Sequence, residues 1–393
     1  MSACTLLLHS ARRIVLRALL WLLLASSAPL AMAHDSGNIL FHDVVDSAAG
    51  AQLHRINSAG TFTDELTIPP GEYVDHSASW SPGGSSVVFE RSYRWYRLDG
   101  NYKHHDPTIV ITDRLGQRER TLYRGVFPAW SGASTNKIAF GTVPEGATNS
   151  ECIHTINPDG TGLQRIACVA WAARTLCDEF FTCLSELRKL EWTRDGKYIV
   201  ALVGSFVTRL SNPSPNDYWA HRLYAVEVAT GRLFELRSVI DPHEQNQPTS
   251  FVVGPNNTVY YDGIDLTGTP SIYRVDLDTN ALTRITTGSA PILSPSGSRL
   301  AYSQHEGTNR YSRVFIANAD GTAPRPLGTA TPGIELVPLD WSPCNRVLVL
   351  RKQDDLDHNH YNRSLHLVNA ASGVWRTIRE NAGAEQGAWW SPW

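Results

Sequence analysis

The residues best suited to chemistry lie in one short stretch, Asp354, Asp355, Leu356, Asp357, His358, Asn359, His360 and Tyr361. Imidazole nitrogens and carboxylate oxygens both offer lone pairs to a divalent cation, and two histidines at i and i+2 converge on one ion when their loop folds back. The expected ligands are His358, His360 and Asp355, with His305 or His105 as a further donor from another loop; the alternative is a solvated polar loop. A second stretch, residues 92–107, interleaves Tyr93, Trp95, Tyr96 and Tyr102 with Arg94, Arg97 and Lys103 before His104, His105 and Asp106. Flat rings flanked by cations suit a sugar ring, an anionic group or a peptide tail. Against this stands a reading in which the rings only pack the loop down while the cations solubilise it. Asp217, Tyr218, Trp219 and His221 repeat the same character further on and favour binding. No nucleophile, base and orienter assemble from neighbouring residues, which argues against catalysis by the chain alone.

What positions these loops is a repeat that runs the length of the chain. A Trp-Ser-Pro-like turn, a small or polar pair and a strand of apolar residues recur seven times, beginning at Trp80, Trp130, Trp192, Val253, Leu293, Trp341 and Trp390. The spacing leaves room for four short strands per unit, with the anchor residue closing the first of them, strand a. The anchor tryptophans, fixed in every unit that keeps them, are expected in the core. Asn, Asp and Gly in the turns supply the positive φ that tight hairpins need. The expected fold is therefore all-β, with one short helix around residues 178–187 as the exception. The chain stops just after the seventh Trp-Ser-Pro, so that unit lacks strands b, c and d. Residues 37–41, 52–57 and 61–66 match those three strands at the other end. A β-propeller closed by pairing of N- and C-terminal strands follows, which removes free sheet edges. Seven blades are expected; because the unit at Val253 has lost its Trp, six with an irregular insertion is the alternative.

The Trp-Ser-Pro-x-Gly turn followed by an Ile-Ala-Phe-like strand resembles the repeat of TolB-like β-propellers, over residues 37–393. The resemblance implies the fold and leaves function open. It also extends to the propeller domains of prolyl oligopeptidase relatives, but this chain carries no GxSxG elbow for a hydrolase domain. The pair His358 and His360 with Asp355 is similar to the loop histidines with which oligogalacturonate lyases hold a metal that assists β-elimination. In such blades the b–c and d–a loops open on one face of the disk, and His76, His104, His105, His221, His243, His305, His358 and His360 all fall on or beside that face.

Composition narrows the partners. The net charge of −3 and the absence of a basic stripe argue against nucleic acid. Arg12, Arg13 and Arg17 precede the apolar run 18–25 and a small-residue site at Ala31, Met32 and Ala33, the pattern of a signal peptide over residues 1–33. The run is short of the roughly 20 residues that span a bilayer, so cleavage before His34 is expected, leaving no transmembrane segment and a periplasmic or secreted domain over 34–393. Export agrees with disulfides. Cys152 and Cys168 flank the turn at Asn157 to Gly160, where a bridge is worth about 3 kcal/mol, and Cys177 and Cys183 can staple a loop; a four-Cys zinc site is the alternative. Cys344 is left over and is expected to be buried and unpaired. These features together lead to a non-catalytic binding or scaffolding propeller that recognises an envelope protein or glycan, with no cofactor. A metal-dependent polysaccharide lyase or hydrolase is the alternative.

Overall fold

The computed structural model describes residues 37–44, 51–96, 102–132, 134–142, 150–170, 181–209, 218–236, 248–265, 267–305, 311–328, 331–357, 360–380 and 388–391. The expected leader lies outside these residues, as do Cys177, His243 and His358. Three strands come first: β1 (Asn38–Val44), β2 (Ala51–Asn57) and β3 (Thr63–Glu65). Blade 1 follows as β4 (Tyr73–Trp80), β5 (Ser86–Tyr96), β6 (Tyr102–Asp113) and β7 (Arg120–Arg124). Blade 2 holds β8 (Val126–Trp130), β9 (Ile138–Thr142), β10 (Ser150–Ile156) and β11 (Gln164–Ala170). Blade 3 holds β12 (Phe181–Trp192), β13 (Tyr198–Arg209), β14 (Tyr218–Glu227) and β15 (Arg232–Glu235). Blade 4 holds β16 (Phe251–Val253), β17 (Thr258–Ile264), β18 (Pro270–Asp276) and β19 (Leu282–Thr287). Blade 5 holds β20 (Ser289–Leu293), β21 (Arg299–His305), β22 (Ser312–Asn318) and β23 (Arg325–Leu327). Blade 6 holds β24 (Ile334–Trp341), β25 (Val347–Asp357), β26 (His360–Asn369) and β27 (Trp375–Arg379). The last strand, β28 (Ala388–Trp390), joins β1, β2 and β3 in a sheet of order β28-β1-β2-β3.

The result is seven four-stranded antiparallel blades of a propeller. All seven repeat anchors are the last residue of strand a, as expected, and Val253, 7% exposed, fills the tryptophan's place in blade 4. Ring closure rests on Ile39 opposite Trp390 and Phe41 opposite Ala388, and on the Ser391 amide donating to the Asn38 carbonyl at 2.7 Å. The seam between the closing blade and blade 1 is packed by Leu40, Leu53 and Leu66 against Ala78, Trp80 and Phe89. No helix among the described residues is long and apolar enough to cross a membrane.

Three expectations are corrected. Residues 181–187 are not helical: they belong to β12, which pairs with β13 from Phe181 opposite Arg209 onward. Leu184, Leu187 and Leu190 recur every three residues as on a helix, but the open edge of β13 supplies a ladder that overrides that spacing. Cys344 is exposed, because it sits in the a–b turn of blade 6 beside Asn345 (φ 61°), with its sulfur 3.4 Å from Ser342 Oγ. Among the anchor tryptophans Trp80, Trp192, Trp341 and Trp390 are buried, whereas Trp130 is half-buried. The reason is the blade 1 turn, where Gly83 has open space around it and leaves a groove of about 590 Å³ lined by Ser81, Pro82, Ser85, Ile111, Arg120 and Trp130.

Polar side chains stitch the blades together near the axis. The amide of Phe127 donates to Glu90 at 3.0 Å, that of Leu187 to Glu151 at 2.6 Å, and that of Val253 to Glu191 at 3.0 Å. Further round, the Ala290 amide donates to Asp262 at 2.9 Å, that of Leu336 to Ser312 Oγ at 2.9 Å, and that of Trp390 to Asp340 at 2.8 Å. Each bond runs from the inner strand of one blade to a side chain of the blade before it, and so satisfies an amide that the ladder leaves over.

At the rim, c–d turns lock onto the preceding blade. Gly116 has φ +73°, and a Cβ built there would overlap the Leu66 carbonyl oxygen across the closing seam. Gly116→Ala is therefore expected to lower the unfolding free energy by about 2–3 kcal/mol, from the left-handed backbone and the displaced seam together. Chemical denaturation checks this, and an unchanged midpoint would show that the seam yields freely.

Candidate functional site

The two faces of the disk are built differently. On the Trp-Ser-Pro face the a–b turns interlock: Gly132 packs on the Arg194 carbonyl, Gly196 on Thr135 and Gly297 on Pro255. Arg194 reaches past blade 4 to donate to the Pro295 carbonyl, and the Ser296 amide donates to Asn345 at 2.8 Å. On the opposite face the b–c hairpins project unequally. Strands b and c span 11 and 12 residues in blade 1, 12 and 10 in blade 3, and 11 and 10 in blade 6. In blades 4 and 5 every one of them spans 7. Four extra residues at the rise of an extended strand carry a hairpin about 13 Å further.

Those three long hairpins carry most of the candidate residues. Trp95 pairs with Lys103 and Tyr96 with Tyr102 near the end of the blade 1 hairpin; Phe206 pairs with Trp219 in blade 3. In blade 6 Asp355 pairs with Tyr361 and Asp357 with His360, so Asp355 and His360 belong to one hairpin end. His305 is exposed at the end of β21 in the short blade 5 hairpin, opposite Ser312. Among the described residues no group of three or more His, Cys, Asp or Glu side chains could hold a metal ion. Cys152 and Cys168 form a disulfide between β10 and β11, whereas Cys183 lies on β12.

The base of the blade 1 hairpin is fixed by charge. Arg91 donates to both oxygens of the buried Asp75 at 2.6 and 2.7 Å and to Glu119 at 2.8 Å. Tyr93 donates its hydroxyl to Glu72 at 2.7 Å and packs edge-on against Tyr73. Such a network holds the root of the hairpin in one position.

Below this root lies a set of residues that sequence spacing does not group. His76, Glu90 and Ser92 are buried, at 3%, 1% and 0% exposed. His76 Nε2 is 3.3 Å from Glu90 Oε1 and 3.1 Å from Ser92 Oγ, while its Nδ1 is 2.9 Å from the Oγ of the partly exposed Ser77. Burial pushes the Glu90 carboxyl up to about 8, and the Phe127 amide only partly offsets it. Asp340, half-buried by surface but surrounded by protein, is pushed up to about 7 by desolvation while accepting the Trp390 and Trp341 amides.

Three histidines on other strands have a structural part. Phe41 stacks on His54 and Phe140 on His154 at ring separations of 5.4 and 5.8 Å, the same b–c cross-strand place taken by Tyr261 with Tyr273 and Tyr302 with Phe315. His366 sits opposite Leu350 in blade 6 in that register. Burial holds His154 and His366 below the usual imidazole range, which keeps them neutral rings in a cross-strand ladder.

No family model matches the chain. No curated protein matches it either. Among solved structures, an oligogalacturonate lyase in complex with manganese superposes with a TM-score of 0.51 at 15% identity, over 88% of this chain and 86% of that one. The periplasmic gluconolactonase of Pseudomonas aeruginosa gives 0.53 at 14% identity, over 90% and 99%. TolB from Acinetobacter baumannii gives 0.44 at 13% identity over 74% of this chain, which spans 63% of the TolB length. With the lyase and the lactonase this chain shares a fold, and at these identities the likeness is one of fold alone.

Proposed function

We propose that the protein is an exported recognition or scaffolding propeller that binds a protein or glycan partner of the cell envelope through its b–c face. The observation that carries this reading is the unequal hairpin length: blades 1, 3 and 6 raise Tyr93, Trp95, Tyr96, Tyr102, Trp219, Asp355 and His360 on the one face that interlocking turns do not cover. Rigid aromatic residues on anchored hairpins lose little conformational entropy on binding, and rings of this kind suit sugar faces and apolar peptide side chains alike. The signal-like leader supports a periplasmic or secreted setting. Shortening the blade 1 hairpin to the length of the blade 5 hairpin is expected to weaken capture of envelope extract or immobilised glycans by at least about tenfold while the melting temperature stays put. Retention of full binding would move the surface elsewhere.

A second reading is favoured by one observation. Asp355 and His360 share the end of one hairpin, the arrangement from which a divalent ion would draw two donors, with His358 next to them in sequence and His305 on the neighbouring blade. Such an ion would serve as a Lewis acid on a polysaccharide. About one tightly held ion per chain after chelator-free purification, lost in a His358→Ala, His360→Ala variant, would support a lyase or hydrolase; no ion above background would leave the binding reading alone.

A further inference from the structure

From the arrangement around His76 we infer that blade 1 carries an acyl-transfer site on its first strand, β4, with Ser77 as nucleophile, His76 as general base and Glu90 as the orienter of the imidazole, acting on a carboxylic ester. The geometry begins with a bulge. In the β4–β5 ladder His76 pairs with Glu90 and Ser79 with Val88, so Ser77 and Ala78 share the place opposite Phe89. Ser77 has φ 52°, the left-handed region that a residue with a Cβ seldom adopts. The bulge itself belongs to the architecture, since Phe127 and Ala290 occupy the same place before their anchors with φ 50° and 52°. Only blade 1 loads it with a serine that follows a histidine.

Two consequences follow from the bulge. It re-aims a side chain at the inner edge of the sheet, as bulges beside reactive sites do, and here it brings Ser77 Oγ to 2.9 Å from His76 Nδ1. It also interrupts the β4–β5 register at Ser77, and the matching amides of Phe127 and Ala290 each donate to a carboxylate of the preceding blade. A donor of that kind next to Oγ is suited to the oxyanion of a tetrahedral intermediate.

The base is held from its other side. Glu90 Oε1 faces Nε2 at 3.3 Å, while Glu90 Oε2 accepts the Phe127 amide and cannot swing away without breaking the blade 1–blade 2 stitch. Facing this pair are Ser92 from β5, the Phe127 ring from β8 and the Glu151 carboxyl from β10; Asp75 and Arg91 lie one residue along and are paired to each other. Ionised Glu90 accepts Nε2–H, which leaves the Nδ1 lone pair towards the Ser77 hydroxyl. Protonated Glu90 donates to Nε2 instead and turns Nδ1 into a donor, the wrong tautomer for a base.

In the reaction Ser77 Oγ forms a bond to the ester carbonyl carbon as its proton passes to His76 Nδ1. The C–O bond to the alkoxide then breaks, and that proton leaves with the alcohol. Water repeats the sequence on the acyl-serine, releasing the acid and restoring the hydroxyl. No oxidant, metal or further reactant enters.

The test uses the whole mature chain with a fluorophosphonate probe and with 4-nitrophenyl acetate between pH 6 and 9. Mapping is expected to place the label on Ser77, with both rates rising about tenfold from pH 7 to pH 9 as Glu90 ionises near 8. Ser77→Ala should abolish labelling with the circular dichroism and melting temperature unchanged. Glu90→Gln, which still accepts the Phe127 amide, should be slow and flat with pH. A wild-type chain that stays unlabelled at pH 9, or a label that survives Ser77→Ala, overturns the assignment and leaves these residues as a blade junction only.

Discussion

Asp262→Ala is expected to lower the unfolding free energy by about 3 kcal/mol, the cost of leaving several partly buried donors without their shared, buried acceptor. Asp262 is 3% exposed and accepts the Thr249 and Ser250 amides at 2.8 Å each, both of their hydroxyls at 3.0 and 2.9 Å, and the Ala290 amide at 2.9 Å. One carboxylate thus fixes the entry into blade 4 and the start of blade 5. Asp262→Asn keeps one acceptor oxygen but turns a donor towards two or three of these groups, so a loss of about 2 kcal/mol is expected from it. Urea unfolding of the three proteins checks the order. A loss under about 1 kcal/mol for the alanine variant would mean that water takes the place of the carboxylate.

Stability is expected to fall as the pH rises from 5 to 9, the reverse of the behaviour of salt-bridged acids. Glu90 and Asp340 have folded-state values raised to about 8 and about 7, against ordinary values of 4.5 and 3.8. The folded chain therefore binds more protons than the unfolded chain between those limits. The stabilisation is complete below about pH 4 and is lost as the pH passes through 7 and 8, on the order of 4 kcal/mol for the buried Glu90 and less for the half-buried Asp340. Glu90→Gln and Asp340→Asn should each flatten the descending limb, and the double variant should gain stability up to about pH 6.5, where the depressed His154 and His366 cease to favour the protonated unfolded chain, and be nearly level from there to pH 9. A melting temperature that rises over that range in the parent would show that His76 holds Glu90 ionised throughout.

The blades were legible in the sequence because each unit carries its own local chemistry. A Pro or Gly turn after a fixed apolar anchor is decided within ten residues, and the missing strands of the seventh unit could be matched at 37–66 by the same pattern. The stitches were not legible. Glu90 and Phe127 are 37 residues apart, Glu191 and Val253 62, and Asp340 and Trp390 50, and nothing near any of these acids distinguishes it from a surface carboxylate. The relation of His76 to Ser77 and Glu90 depends on a bulge that sequence spacing does not encode. Likewise His54 and His154 read as polar residues until the register sets them against Phe41 and Phe140. The candidate hairpins were found from their aromatic and acidic residues. Their common projection became visible only when strand lengths could be compared blade by blade.

Closure by β28 and β1 also decides how the ring answers a mechanical load. The two strands run antiparallel with Asn38 beside Ser391, so a force applied through the two ends of the ring pulls at the same end of the pair. Its few ladder bonds are then loaded one after another, as in a zipper, rather than together in shear. A ring that heat or denaturant must melt as a unit should thus open at low force when drawn by its ends, with β28 peeling away first and six blades still intact.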